Sequence, residues 1–264
     1  MSKRDAIRWE DLTSNGGPYL PICMCLDTSR SMERKDGGTS RESGSLLERI
    51  GPTRLELLMQ GVREFYQAIY ADELTRYTAE VAIVTFDDTA RVIKDFSRVE
   101  QLRRDKVYGL VGEGMEDVPK LQTNGTRTAM GEGVNMALDL LDACKQTYKE
   151  RAVDYYQPWL VLISDGMNNG DSKAFEEAQN RIRDLVGNHK LAVYPLAVGS
   201  AQGLACLNAL SPAQEAFSLH SVALPSLFKW LAASAEEVSS GAMGTYKSPK
   251  LERARVITWA EAKL

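Results

Sequence analysis

Histidine is almost missing from this sequence: there are two, His189 and His220. Two are too few for a histidine-rich zinc site, and a histidine-based triad would have to use one of them. No stretch approaches the roughly 18–20 consecutive apolar residues needed to span a bilayer. The opening M-S-K-R-D-A-I-R-W-E-D is charged with no apolar core behind it, which predicts no secretory signal. A basic excess is lacking too: 32 Lys and Arg face 36 Asp and Glu, for a net charge of −4 and a pI near 5.4. That balance speaks against a dedicated nucleic-acid binder, which needs a basic face. Neither a phosphate-binding G-x-x-x-x-G-K-[ST] loop nor a G-x-S-x-G nucleophile elbow occurs, and no segment repeats at a fixed period. Cysteine is sparse, with four residues. Cys23 and Cys25 are two apart on a predicted strand and share a face, a poor geometry for a disulfide. With Cys144 and Cys206 they are expected to be reduced thiols packing as small hydrophobes. These absences predict a cytoplasmic chain that contacts neither membrane nor nucleic acid.

What is present centres on Leu20 to Met32, L-P-I-C-M-C-L-D-T-S-R-S-M. A short apolar run bounded by polar residues reads as a buried strand. Its end, Asp27, falls at the carboxyl edge of a sheet, where open α/β folds place their ligand sites. Ser29 and Ser31 follow at alternate positions. A carboxylate and two hydroxyls there make a cluster of hard oxygens suited to Mg²⁺ or Mn²⁺.

The rest of the chain, 264 residues with 44% hydrophobic and 26% charged, is of ordinary globular composition and long enough for one large α/β domain. Residues 1–17 read as a polar extension ending in a loop signature. The 33–52 segment, rich in Gly and Ser, reads as a long surface loop. Thr53 and Glu56 form a capping box for an amphipathic helix reaching Ala71. Strands are expected at Ala79–Phe86 and Ala90–Phe96, close enough for an antiparallel hairpin around Asp87-Asp88. A short helix is possible at 99–110, and a longer one runs from Met130 to Cys144. A strand at Trp159–Ile163 again ends at an acid, Asp165. A helix at Ser172–Val186, a strand at Lys190–Val198, a short strand at 216–219 and a helix at Leu224–Val238 close the domain. Pro195 puts its strand near an edge or at a bulge, and Trp230 is expected in the core. The tail, 241–264, has Trp259 as a candidate anchor. Strands alternating with helices predict a single open, mostly parallel, doubly wound (Rossmann-like) sheet. Helices cover both faces, one antiparallel hairpin forms the edge, and the domain spans 18–240.

In such a sheet Asp27, Ser29, Ser31, a threonine among residues 126–128 and Asp165 can converge on one rim. Two acids and three hydroxyls leave an octahedral ion a position for an outside carboxylate, which is the chemistry of docking. A polar loop that merely caps a helix would also account for Asp27-Ser29-Ser31. Asp87-Asp88 reads as a hairpin turn, or as a support or partner contact at the same rim.

D-T-S-R-S, G-T-R-T-A-M-G and L-I-S-D-G, in that order, resemble the three metal-site loops of the von Willebrand factor A (VWA) domain and its metal-ion-dependent adhesion site (MIDAS). D-Y-Y-Q-P-W-L-V-L-I-S-D-G and L-P-S-L-F-K-W-L resemble the bacterial tellurium-resistance (TerY-like) branch. The resemblance implies ion ligation by Asp27, Ser29 and Ser31, with Asp165 acting through water. Thr128 fits the T-x-x-G form, with Gly131 as its glycine, and Thr126 fits the integrin-like spacing. It also implies Mg²⁺, with Mn²⁺ or Ca²⁺ as substitutes. The implied function is a non-enzymatic adaptor or regulator in a bacterial stress-response, tellurite-resistance or defence system. Its implied partner is a protein donating an Asp or Glu, kinase-like or phosphatase-like in kind. Arg30 stands where the family often has glycine and could crowd the ion. The alternative is a metal-dependent phosphohydrolase using Asp27 as nucleophile. Such enzymes carry a second Asp two residues on, where this chain has Ser29.

Overall fold

The computed structural model describes residues 18–35, 51–98, 121–123, 125–199, 201–211 and 216–240. The N-terminal extension, residues 36–50 of the expected loop, the possible helix at 99–110 and the tail with Trp259 lie outside them.

The first strand, β1 (Leu20–Asp27), is buried at every position. It therefore takes the sheet's centre, as an unbroken apolar run requires. It pairs in parallel with β2 (Ala79–Phe86) on one side and β4 (Trp159–Ser164) on the other. β2 continues outward to β3 (Ala90–Arg98), antiparallel, while β4 continues to β5 (Ala192–Val198) and the short β6 (Phe217–Leu219), both parallel. The order β3-β2-β1-β4-β5-β6 is the predicted mixed sheet with its antiparallel pair at one edge. The chain leaves β1 toward β2 and returns later to β4 on the opposite flank. The carboxyl ends of β1 and β4 thus flank the topological switch point.

Alternation along β1 divides the core. Leu20, Ile22, Met24 and Leu26 face helices α1 (Arg54–Ala71) and α6 (Leu224–Ser240). Cys23 and Cys25 face α3 (Met130–Glu150), α4 (Ser172–Gly187) and α5 (Ala201–Leu210). Burial raises both thiols well above the ordinary cysteine range, so they pack as hydrophobes. Trp230 is buried against Tyr194, at 5.8 Å between ring centroids. Pro195 lies on the strand next to the edge, and β6 begins to pair only at Leu196, one residue beyond it.

Two helices were not anticipated. α2 (Glu73–Thr78) is one and a half turns started by Asp72, whose carboxylate accepts the Thr75 N–H at 2.7 Å. α5 is apolar over most of its length and offers no helical stripe to read.

Candidate metal centre

At the carboxyl rim the chain leaves β1 through a sequence of backbone ties. The Thr28 N–H bonds Phe86 O at 2.9 Å, Ser29 bridges Gly125, and the Arg30 N–H bonds Gly125 O at 2.9 Å. Arg30–Glu33 then forms a 3₁₀ turn anchored by the fully buried Met32. This path stacks Asp27, Ser29 and Ser31 on the inner side of the loop. Asp27 Oδ1 accepts the Ser29 N–H at 2.8 Å, and Oδ2 accepts the Ser164 hydroxyl at 2.5 Å. Ser29 Oγ lies 3.0 Å from Ser31 Oγ, which in turn donates to Asp165 Oδ1 at 2.6 Å. Residues from two strands that meet only in the folded sheet are joined by one chain of oxygens.

The threonine loop is held from both sides. Asp88 Oδ1 accepts the N–H groups of Thr126 (2.9 Å) and Arg127 (2.7 Å), and the Ala129 N–H bonds Asp87 O at 2.8 Å. A side chain at Gly125 would place its Cβ 2.6 Å from the Asp88 nitrogen, so only glycine lets the two loops meet. Asn169 clamps Thr128 reciprocally: its side-chain oxygen accepts the Thr128 N–H, and its own N–H donates to Thr128 O at 3.1 Å. Thr128 is 5% exposed, and its hydroxyl lies 3.3 Å from where a Cβ on Gly166 would stand, beside Asp165. Thr126 is exposed and lines a neighbouring cavity. The fold thus brings Thr128 inward with Asp27, Ser29, Ser31 and Asp165 and leaves Thr126 on the rim. The glycine of T-x-x-G also has a physical cause: a Cβ on Gly131 would lie 2.4 Å from the Phe175 nitrogen, where α3 meets the start of α4.

Asp27 is fully buried and Asp165 is 4% exposed. Burial pushes the Asp27 carboxyl up to about 6; hydrogen bonds from Ser164 and Ser29 oppose this, and the neighbouring Asp165 charge adds to it. A carboxylate this deep is costly unless a cation faces it. Asp165 has such a cation in Arg54, the first residue of α1, whose Nη1 lies 2.5 Å from Asp165 Oδ2 with both side chains buried. Asp87-Asp88 does more than turn the hairpin. Asp87 accepts from Thr28 (3.3 Å) and Arg91 (2.7 Å) and is held below the carboxylate range despite its burial.

Arg54, Ser164 and Asn169 escaped the sequence reading. Arg54 left one signal: an arginine in a helix's first turn opposes the macrodipole and calls for a carboxylate partner. Arg30, whose side chain could have filled the site, is exposed and forms no ion pair with Asp27 or Asp165.

The donor set fits a hard divalent cation. It consists of oxygens alone, two carboxylates and three hydroxyls, and the two serine hydroxyls lie within hydrogen-bonding distance of one another and, for Ser31, of Asp165. Among the described residues no three Asp, Glu, His or Cys side chains gather as a metal-binding group, so an ion here would rest on the two carboxylates and the hydroxyls.

Comparison with known proteins agrees on the architecture. The vWF domain of the type V pili tip protein Mfa5 from Porphyromonas gingivalis superposes with a TM-score of 0.54 at 10% identity, covering 86% of this chain and 98% of that one. A von Willebrand factor type A protein from Catenulispora acidiphila gives 0.55 at 17%, over 83% of this chain and 43% of that one. Proximal thread matrix protein 1 from the mussel byssus, with a zinc-occupied MIDAS motif, gives 0.51 at 14%, over 83% and 48%. The chain therefore spans less than half of the mussel and Catenulispora chains. A search of curated protein sequences returns no match. The family model for the von Willebrand factor type A domain matches residues 22–168, more than half of the sequence and all three site loops. The chain belongs to the von Willebrand factor type A domain family.

Proposed function

We propose that this chain is an ion-dependent protein-interaction module whose site is a MIDAS. Asp27, Ser29 and Ser31 hold the ion directly with Thr128, Asp165 acts through water, and Thr126 stays on the rim. When bound, the ion supplies a Lewis-acidic position that accepts an Asp or Glu carboxylate from a partner protein. The chain's own residues do the positioning. Ser164 and the Ser29 N–H aim the Asp27 carboxylate, Arg54 fixes Asp165, and Asn169 with Asp88 holds the threonine loop in register. Arg54 also offsets one of the two negative charges, leaving the ion under-neutralised and receptive to an outside acid. Met167, 54% exposed beside Gly166, offers apolar surface to the same partner.

The observation that carries this reading is the unbroken oxygen chain Ser29–Ser31–Asp165 beside a buried Asp27. Mg²⁺ is the proposed ion, with Mn²⁺ or Ca²⁺ able to replace it. The TerY-like segments support a cytoplasmic adaptor or regulator in a bacterial stress-response, tellurite-resistance or defence system, with kinase-like or phosphatase-like partners. Four free cysteines suit a reducing compartment. Phosphohydrolase chemistry has less behind it, because Ser29 stands where the acid–base group would be.

The test pairs metal binding with partner capture from host extract, in the wild type and in Asp27→Ala. Mg²⁺ should raise the melting temperature of the wild type only, and capture should be lost both in the variant and in EDTA. Capture that survives both treatments refutes the reading.

A further inference from the structure

Beside the oxygen cluster lies a cavity of about 440 Å³ lined by Arg30, Ser31, Glu33, Arg34 and Thr126. It adjoins the site: Ser31 belongs both to its wall and to the oxygen chain leading to Asp165. Arg30 and Arg34 are exposed, and neither has an ion-pair partner among the described residues. Glu33 is engaged by the Thr123 hydroxyl. The backbone that presents the arginines is fixed: the Arg34 N–H bonds Ser31 O at 3.0 Å, and Arg34 O accepts the Arg54 N–H at 3.0 Å. Both guanidinium groups thus project from a tied turn.

The charges close in an informative way. Asp27 and Asp165, less Arg54, leave the inner site with one negative charge, which a divalent ion turns into one positive. On the cavity wall the two arginines exceed Glu33 by one. With an ion in place, site and cavity together carry two uncompensated positive charges, on a chain whose net charge is −4. A single partner carboxylate on the ion neutralises half of that.

Resting on the ion-dependent reading above, we propose that the partner is an acidic peptide segment presenting two carboxylates, one to the ion and a second to Arg30 and Arg34 in the cavity. On an extended segment, acids at alternate positions face the same side about 7 Å apart. That reach suits a site and a cavity that share one residue. Arginine's planar fork favours a carboxylate there, and the positive rim steers acidic segments toward the ion.

The test uses the full chain in 5 mM Mg²⁺ (about fivefold above a millimolar site) and fluorescent octapeptides of Gly and Ser. These carry one Glu, two Glu at alternate positions, or one Glu with a phosphoserine two residues on. The two-Glu peptide should bind about five- to tenfold more tightly than the one-Glu peptide, an advantage that shrinks as salt rises. In Arg30→Ala/Arg34→Ala the ratio of the two affinities should fall to about one. EDTA should abolish binding of both peptides. Equal affinities for the wild type, or an advantage that persists in the double variant, overturns the proposal. So does tight binding of the phosphoserine peptide without that of the two-Glu peptide, which would assign the cavity to phosphate. If the one-Glu peptide binds in a Mg²⁺-dependent way and the second acid adds nothing, only the cavity proposal falls. If no peptide responds to Mg²⁺, the metal reading falls with it.

Discussion

Replacing Arg54 with alanine removes the guanidinium that lies 2.5 Å from Asp165 Oδ2, in a pair where both side chains are buried. Breaking such a pair from one side leaves a charge uncompensated in the interior and costs about 3–5 kcal/mol. The lower end applies, because Asp165 keeps the Ser31 hydroxyl on its other oxygen. For a domain of this size, about 3 kcal/mol corresponds to a melting temperature lower by about 6–12 °C in chelator. The ion then matters twice. A divalent cation beside Asp165 takes over part of the compensation, so Mg²⁺ should raise the melting temperature of Arg54→Ala by several degrees more than that of the wild type. Thermal melts by circular dichroism, with EDTA and with 10 mM Mg²⁺ (an excess worth about 1.4 kcal/mol at ten times a millimolar Kd), read both effects. The exposed Arg183→Ala serves as control. A loss no larger than the control's would mean that the pair contributes nothing. Equal Mg²⁺ shifts in variant and wild type would mean that Arg54 does not sense the ion.

Three further outcomes are expected. Asp27 has its folded-state pKa raised to about 6, above the ordinary value of 3.8, so the native state binds the proton more tightly than the unfolded chain. In chelator, stability should therefore fall as pH rises from about 4 to 6 and then level off, and Asp27→Asn should flatten that slope in urea melts. Thr128→Ala should abolish the heat of Mg²⁺ binding in calorimetry whereas Thr126→Ala retains it; the reverse result would move the ligand to the rim. Gly131→Ala forces a Cβ to 2.4 Å from the Phe175 nitrogen. It should cost about 1–3 kcal/mol, read as a lower urea midpoint, and an unchanged midpoint would contradict the close α3–α4 contact.

Much of the fold was legible because its strands are strongly marked. Leu20–Leu26 and Trp159–Ile163 are unbroken apolar runs that stop at polar residues, and burial on both faces leaves such runs one place, the middle of a parallel sheet. Helix α1 announced itself through the Thr53–Glu56 box, and both of its reciprocal bonds are formed, at 2.7 and 3.1 Å. What escaped had no local signature. α2 is six residues, too short to show a period, and α5 is apolar without a polar face. The cluster around Asp27 could be read because each acid stands where a strand ends. Its supports could not be, since the links from Arg54 to Asp165 and from Asn169 to Thr128 join segments that only the folded chain brings together. The T-x-x-G pattern favoured Thr128 over Thr126, and the Asp88 anchor adds the physical reason that Thr128 is buried while Thr126 is exposed.

The most direct measurement is anomalous X-ray scattering from crystals grown with Mn²⁺. The account predicts one strong peak at the carboxyl rim, ringed by oxygens of Asp27, Ser29, Ser31 and Thr128, with Asp165 one water away. A peak elsewhere, or Mn²⁺-grown crystals with no peak at that rim, would contradict it.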